Sequence, residues 1–547
     1  MSNPDNNLEQ YEKLINNSEP INIDDPAYEQ ILKDLQGGII KSYGRNYSLY
    51  IFIQFDNEKA KDVKQWIQDQ AKNITSTSKQ LKHTETYKKM RQQDPSFSGE
   101  LCKNFFLSYQ GYKTLGFDPT NPKPDDQGNK KSKLDDSDFK GGMKCDWETT
   151  YRPTDNTPTD YWYNPPENWD IGKVHIDALI LLAHNCLEYL KKEANSIIDK
   201  CEEFGKVVAC EAGYILKDSN DKTKSLSIGP FGFADSISQP LFLKKDYDNY
   251  CKNQNIEQWD PKASLNLVLA KDPFGEPYSY GSYCVWQKLE TCLERFEQKV
   301  GELANCLKSD RERASALVIG RFKDGTPLDL SDLPNQNDGS SIANSFNYAD
   351  DFHGSKCPIQ AHIRKVNPRK DKTEQNKDQT EVEESRRTNS RIVRAGRIYF
   401  DNSNALQTSN MSQLCLNKLD YLNEVSKQSL EKNIASISGL LFVCFQKSIH
   451  GQFQKLQQDW ADDRNFPKNQ DSIYLDPVIG HPVTKRLLDP LKEQKWPPKW
   501  NSGDSEDDFT PYLFYNCVRN KGGEFFFAPS ISFLENIAID CIKSLQN

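Results

Sequence analysis

Residues 47–74 read YSLYIFIQFDNEKAKDVKQWIQDQAKNI. The first nine are aromatic and β-branched, the composition of a strand that packs on both faces. Residues 61–74 then place Val63, Trp66, Ile67 and Ala71 at three- and four-residue intervals, which predicts an amphipathic helix. Working outward, a short strand is expected at 105–108 and a strand at 207–216. Residues 177–201 read as one long helix with an apolar first half. A strand enters at 282–286, a helix follows at 289–303, and SISGLLFVCF (436–445) reads as a buried strand. Strands and helices mix without a strict β-α-β rhythm, which predicts an α+β fold and not a doubly wound parallel sheet.

The chain has 547 residues, room for two to four domains or for one or two large ones. Apolar residues make up 36%, a low share for a compact protein, so part of the chain is expected to be polar insertion. Three stretches fit: 119–159, 370–388 (KDKTEQNKDQTEVEESRRT) and 496–508. Each is expected to be a surface loop or disordered, burying no core. The net charge of −9, with Lys and Arg scattered among acids, forms no basic stripe, so nucleic acid is not an expected partner. The most apolar runs, 178–183 and 440–445, are too short to span a bilayer. The N-terminus has neither a basic nor an apolar region, so no export signal is expected and the cytoplasm is the expected location. Fourteen dispersed cysteines without a C-x-x-C pair are expected to be reduced thiols.

Three segments carry candidate chemistry. Residues 228–240 read IGPFGFADSISQP, and Gly232 and Pro240 bracket a turn that presents Asp235 among Phe231, Phe233 and Ile237. A carboxylate among apolar groups suits acid–base work. The same text also suits an Asp that bonds its own turn backbone. Residues 357–369 read CPIQAHIRKVNPR, with His362 amid Arg364, Lys365 and Arg369. Imidazole is an axial ligand of haem iron, and guanidinium groups pair with carboxylates such as haem propionates. No H-E-x-x-H or close His/Cys grouping offers a zinc site. Residues 391–400 read RIVRAGRIYF, and Arg394 in an apolar strand is costly unless it faces a site or a partner.

In this order the three segments resemble the dye-decolorising peroxidase family of the haem-binding dimeric α/β-barrel superfamily. Its G-x-x-D-G signature aligns with Gly232-Phe233-Ala234-Asp235-Ser236. Its proximal-histidine motif aligns with Ala361-His362-Ile363-Arg364-Lys365, and its distal-arginine motif with Ile392-Val393-Arg394-Ala395-Gly396. The likeness runs from about residue 35 to about residue 535, interrupted by the insertions. It departs at Ser236, where the family has glycine, so a turn needing positive φ there would be strained.

The resemblance implies two ferredoxin-like halves, each an antiparallel sheet flanked by helices. Residues 1–250 would carry the distal Asp motif, and 251–547 the proximal His and distal Arg. It implies haem b (iron protoporphyrin IX) on His362, with Arg364 and Arg369 toward the propionates and Leu440 and Phe442 in the apolar distal wall. Hydrogen peroxide would be reduced with Asp235 moving a proton and Arg394 stabilising charge, while dyes, phenolics or other organic reductants are oxidised. It also implies that electrons enter through surface Tyr or Trp, of which Tyr399 is one candidate and equally a packed core aromatic. The competing reading is a haem-binding or haem-handling protein with weak peroxidase activity, which would retain His362 without needing both Asp235 and Arg394. The acid that orients the other nitrogen of His362 is not singled out by the sequence.

Overall fold

Every residue of the apolar run at 49–53 is buried, so this strand has a core on each side. The computed structural model describes residues 4–539, apart from 125–130, 156, 218–225, 335–342, 372–379, 402–407, 409, 468–473, 483–490 and 502–507. The first four strands are β1 (Tyr47–Phe55), β2 (Cys102–Leu107), β3 (Ala178–His184) and β4 (Gly205–Tyr214). They pair antiparallel in the order β2-β3-β1-β4. Helix Ala60–Ala71 links β1 to β2, and helix Leu187–Cys201 links β3 to β4.

A two-strand ribbon follows, β5 (Ser227–Ile228) against β6 (Ala234–Asp235). Next come β7 (Ala270–Lys271) and its partner β8 (Tyr280–Thr291). Then β9 (Val393–Arg394) and β10 (Arg397–Tyr399) lie end to end along β11 (Gly439–Gln446). A second ribbon, β12 (Gln494–Trp496) with β13 (Thr510–Tyr512), precedes β14 (Val518–Ala528). The long strands of this half run β10-β11-β8-β14, with helix Leu293–Leu307 after β8 and helix Ile449–Ala461 after β11. Each half therefore has the ferredoxin-like strand order, with the first strand between the third and the fourth. Pairing of β14 with β2 and of β4 with β10 closes the eight strands into one antiparallel ring.

The period-two alternation of strand side chains divides the core. Tyr50 and Phe52 point inward and pack edge-on against Trp286, at ring-centre distances of 5.6 and 4.7 Å. Leu49, Ile51 and Ile53 point outward into a layer shared with Val63, Trp66 and Ile67. A third cluster joins Phe296, Val300 and Leu303 to Leu317, Ala361 and Phe231, and it carries the candidate site.

Three expectations are corrected. Residues 177–201 are not one helix, because Ala178–His184 is a strand and the helix begins only at Leu187. The stretch 119–159 does bury core: Phe139, Met143 and Trp147 join the outer layer from helices Ser137–Gly141 and Met143–Thr150, and Leu134 and Tyr151 join it from the segments flanking them. Trp496, at the head of the third stretch, is fully buried too. Of the second stretch, 372–379 lies outside the described residues. The cysteines are not all thiols, since Cys210 of β4 and Cys415 form a disulfide. No helix among the described residues is long and apolar enough to cross a membrane.

Candidate active site

His362 opens the short helix His362–Val366, which its neighbours fix from within. Arg364 is wholly buried and donates to Asp371 Oδ2 at 2.7 Å, to Asp351 Oδ2 at 2.9 Å and to the carbonyl of Cys357. Lys365, also buried, donates to the carbonyls of Asp463 and Phe466, each at 2.7 Å. The imidazole between them is a quarter exposed, and its Nδ1 donates to Asp476 Oδ2 at 2.9 Å. The other oxygen of Asp476 accepts from the backbone N–H groups of Val478 and Ile479, at 2.8 and 3.0 Å. Burial works against the Asp476 charge, but His362 and the two N–H donors outweigh it and hold the carboxyl below its usual range. Fixing the proton on Nδ1 leaves Nε2 with its lone pair, the form in which imidazole binds a metal.

Asp235 ends β6, and Phe231 and Phe233 anchor its turn on Phe296, with ring centres 4.3 and 6.3 Å apart. Its Oδ1 accepts from the N–H of Ser236 at 2.6 Å, so it does bond its own turn backbone. Its carboxylate is half-buried and remains reachable. Ser236 adopts φ +64°, the strained conformation that the missing glycine would relieve. The same turn grips Arg394. The Arg394 guanidinium donates to the carbonyl of Ile237 at 2.6 Å, and Gln239 bonds both the N–H and the carbonyl of Arg394, at 3.2 and 3.0 Å. Arg394 pairs with Cys444 across β9 and β11, so its side chain shares a sheet face with Leu440 and Phe442. Both of those are half-buried while Leu441 and Val443, which alternate with them, point into the ring.

The two basic candidates behind His362 have different surroundings. Arg364, with its donors engaged by Asp351, Asp371 and the carbonyl of Cys357, holds the loop together. Asp371 and Asp351 more than offset the burial that opposes its charge. Arg369 differs. With Arg321, to which the sequence reading gave no site role, it converges on Asn344 Oδ1 (2.9 Å each) and on Ser238 Oγ (2.6 and 3.5 Å). Among the described residues no carboxylate bonds either guanidinium. Burial pushes Arg321 down to about 10 and Arg369 to about 9. Two adjacent buried cations without an anion make a cradle that an anionic group would stabilise. Ser238 ties this cradle to the Asp235 turn.

The donor set fits a single axial ligand and not a cage, because among the described residues no three His, Cys, Asp or Glu side chains gather around a metal position. A cleft of about 740 Å³ lies off this site, bordered by Trp259, Lys262 and Arg391; His362, Asp235 and Arg394 are not among its walls, so it carries no part of the assignment. Sequence reasoning also missed Asp476, a carboxyl set between Leu475 and Pro477 in an otherwise apolar stretch.

No family model matches the chain. The crystal structure of a DyP-type peroxidase from Anabaena sp. is 33% identical and aligns over 96% of this chain and 99% of that one, with a TM-score of 0.75. The chain belongs to the dye-decolorising peroxidase family. The multifunctional dye peroxidase DyP2 of Amycolatopsis sp. (strain ATCC 39116 / 75iv2) is 29% identical over 529 residues, 93% of this peroxidase and 96% of that one. Its solved structure superimposes with a TM-score of 0.73 at 26% identity. The dye-decolorising peroxidase is therefore a hydrogen-peroxide-dependent oxidoreductase with the α+β fold of its relatives.

Proposed function

We propose that this peroxidase carries haem b on His362 and reduces hydrogen peroxide on the ring face lined by Asp235 and Arg394, drawing electrons from dyes, phenolics or other organic reductants. The observation that carries the reading is the 2.9 Å bond from His362 Nδ1 to the buried Asp476, which leaves Nε2 to act as ligand. A bound haem would supply the open coordination position for peroxide and the electrons that break its O–O bond.

The chain supplies the rest. Asp476 keeps the imidazole in one tautomer and orientation and raises its donor strength. Arg321 and Arg369 would hold the propionates, the anions that their paired charge lacks. Leu440 and Phe442 would form an apolar wall that limits water beside the peroxide. An Asp235 carboxylate oxygen would take a proton from one peroxide oxygen and return it to the other. The Arg394 guanidinium, positioned by the carbonyl of Ile237, would stabilise the negative charge that grows on the departing oxygen.

Absorption spectroscopy of the hemin-loaded chain tests this. A sharp Soret band that shifts promptly with one equivalent of peroxide is expected, with the band lost in His362→Ala. In Asp235→Asn the band should persist and the peroxide response slow by roughly 100-fold or more, the scale of a lost proton-transfer group. A chain that gives no Soret band under any loading condition overturns the assignment.

A further inference from the structure

Arg397 opens β10 three residues beyond Arg394. It pairs with Leu441 of β11, which points into the closed ring, so Arg397 points there too. Gly213 of β4 leaves the room, since a β-carbon at that position would stand 2.6 Å from Arg397 Cβ. Arg397 is only 7% exposed. Its Nη1 donates to the carbonyls of Ala395 and Gly396, at 3.2 and 2.8 Å. Its Nε is buried with no hydrogen-bond partner among the described residues. No described carboxylate bonds it either. Burial holds Arg397 below its ordinary value, and the Tyr50 and Asp235 charges do not make up the difference. Arg397 borders a cavity inside the ring, about 20 Å³ in volume, whose polar walls include Tyr43, Ser48, Tyr50 and Asn104. The Tyr43 hydroxyl is buried there without a partner as well. No Asp or Glu lines the cavity. Asn104 commits its Nδ2 to Gln36 Oε1 and to the carbonyl of Gly37, at 3.2 and 2.9 Å, which leaves its Oδ1 as an acceptor. The other polar side chains of the wall can all donate.

We propose that this cavity is a binding site for one monatomic anion, chloride, held by Arg397 inside the ring. A guanidinium taken out of water is costly unless an opposite charge meets it. A water molecule would satisfy the Nε–H bond but not the charge, whereas chloride satisfies both. The size of the cavity sets the class of ligand. A volume of about 20 Å³ holds a single water-sized centre, so sulfate, phosphate and carboxylates do not fit. The polar walls agree with the sign, because donors outnumber the one amide oxygen. The site also has a place in the fold. The carbonyls that take Arg397 Nη1 belong to Ala395 and Gly396, the two residues between β9 and β10. An anion that fixes Arg397 therefore braces, from inside the ring, the turn that follows Arg394. None of this depends on haem, since Arg397 and the cavity lie on the opposite face of the sheet from Leu440 and Phe442.

The test uses bromide as the probe, in crystals of the full-length chain grown with bromide as the only halide and measured at the bromine absorption edge. An anomalous peak is expected inside the ring, within bonding distance of Arg397 Nε. In solution, the thermal midpoint of the full chain, with and without hemin, should stand roughly 1–2 °C higher in sodium chloride than in sodium gluconate of equal ionic strength. Gluconate is too large for the cavity, and equal ionic strength removes the difference in surface screening. Arg397→Met should lose both the peak and the midpoint difference. Where that variant folds poorly, Tyr43→Phe keeps the cation, removes one donor and should weaken the peak at least twofold. A wild-type cavity that holds only water in bromide overturns the proposal. So does a bromide peak with equal midpoints in the two salts, which is binding at crystal concentration only. A peak that survives Arg397→Met unchanged overturns the role of Arg397. Loss of the Soret band would overturn the haem reading and leave these outcomes as they are.

Discussion

Ser236 stands at φ +64°, where the β-carbon crowds the backbone and the cost is about 1 kcal/mol or more for a residue other than glycine. Glycine would relieve this but carries more freedom in the unfolded chain. Ser236→Gly is therefore expected to raise unfolding free energy by a net ~0.5 kcal/mol in urea titration, with the Asp235 turn unchanged. Asp476 invites the opposite experiment. Asp476→Asn retains the shape of the contact to His362 and removes its charge, so the Soret band should persist while the rate with peroxide falls roughly 10- to 100-fold. At this scale the sequence could name candidates where the residues sit in one continuous run of text, as for Asp235, His362 and Arg394. It was illegible where partners meet only in space. Asp476 is 114 positions from His362, and nothing local to either announces the other. Arg364 shows the converse, because a cation beside His362 looks available until the acids around it are seen.

Helix Met143–Thr150 is docked by an acid rather than by apolar packing alone. Glu524 of β14 is half-buried, and its Oε1 accepts from the N–H of Met143, the first residue of the helix, at 3.0 Å. Burial pushes Glu524 up to about 7, because only two backbone N–H groups favour its charge. A carboxyl raised on folding binds its proton more tightly in the native state. Its contribution is therefore full below the unfolded value near 4.5 and is lost as pH climbs to about 7. Glu524→Gln retains the acceptor and removes the titration. The variant should lose less stability between pH 5 and 8, by roughly 2–3 kcal/mol, in urea titrations across that range. Sequence reading failed on this region because short helices separated by Asp, Lys and Gly dilute their apolar residues below recognisable periodicity. At 178–184 the failure was different. A strand buried on both faces has no polar alternation, and its apolar run is indistinguishable from one side of a helix.

Two thin seams join the halves of the molecule: Phe527 faces Leu107 at one, and Ile398 faces Tyr214 at the other. Side chains reinforce the second seam. Glu211 of β4 takes Lys288 at 3.0 Å and Lys418 at 2.6 Å, both from the other half. The neighbouring Cys210 reaches across to Cys415, over a separation of 205 residues. A crosslink closing so long a loop restricts the unfolded chain by about 5 kcal/mol in the loop-entropy model. Reduction with a thiol should lower the thermal midpoint, and Cys415→Ser should show the lower midpoint with or without thiol. The fold class itself was legible, since strand and helix text alternated without a parallel rhythm. Ring closure was not, because each seam is a single rung between residues far apart in the chain.

The closed ring has a consequence for how the molecule meets other chains. All eight of its strands have a neighbour on each side, and an unpaired strand edge is what templates cross-chain β-sheet growth and fibrils. Contact with another copy therefore falls to the short ribbons, helices and loops outside the ring, whose side chains can be altered one at a time without unzipping the main sheet. Crowding such an enzyme at high concentration risks reversible sticking more than permanent fusion.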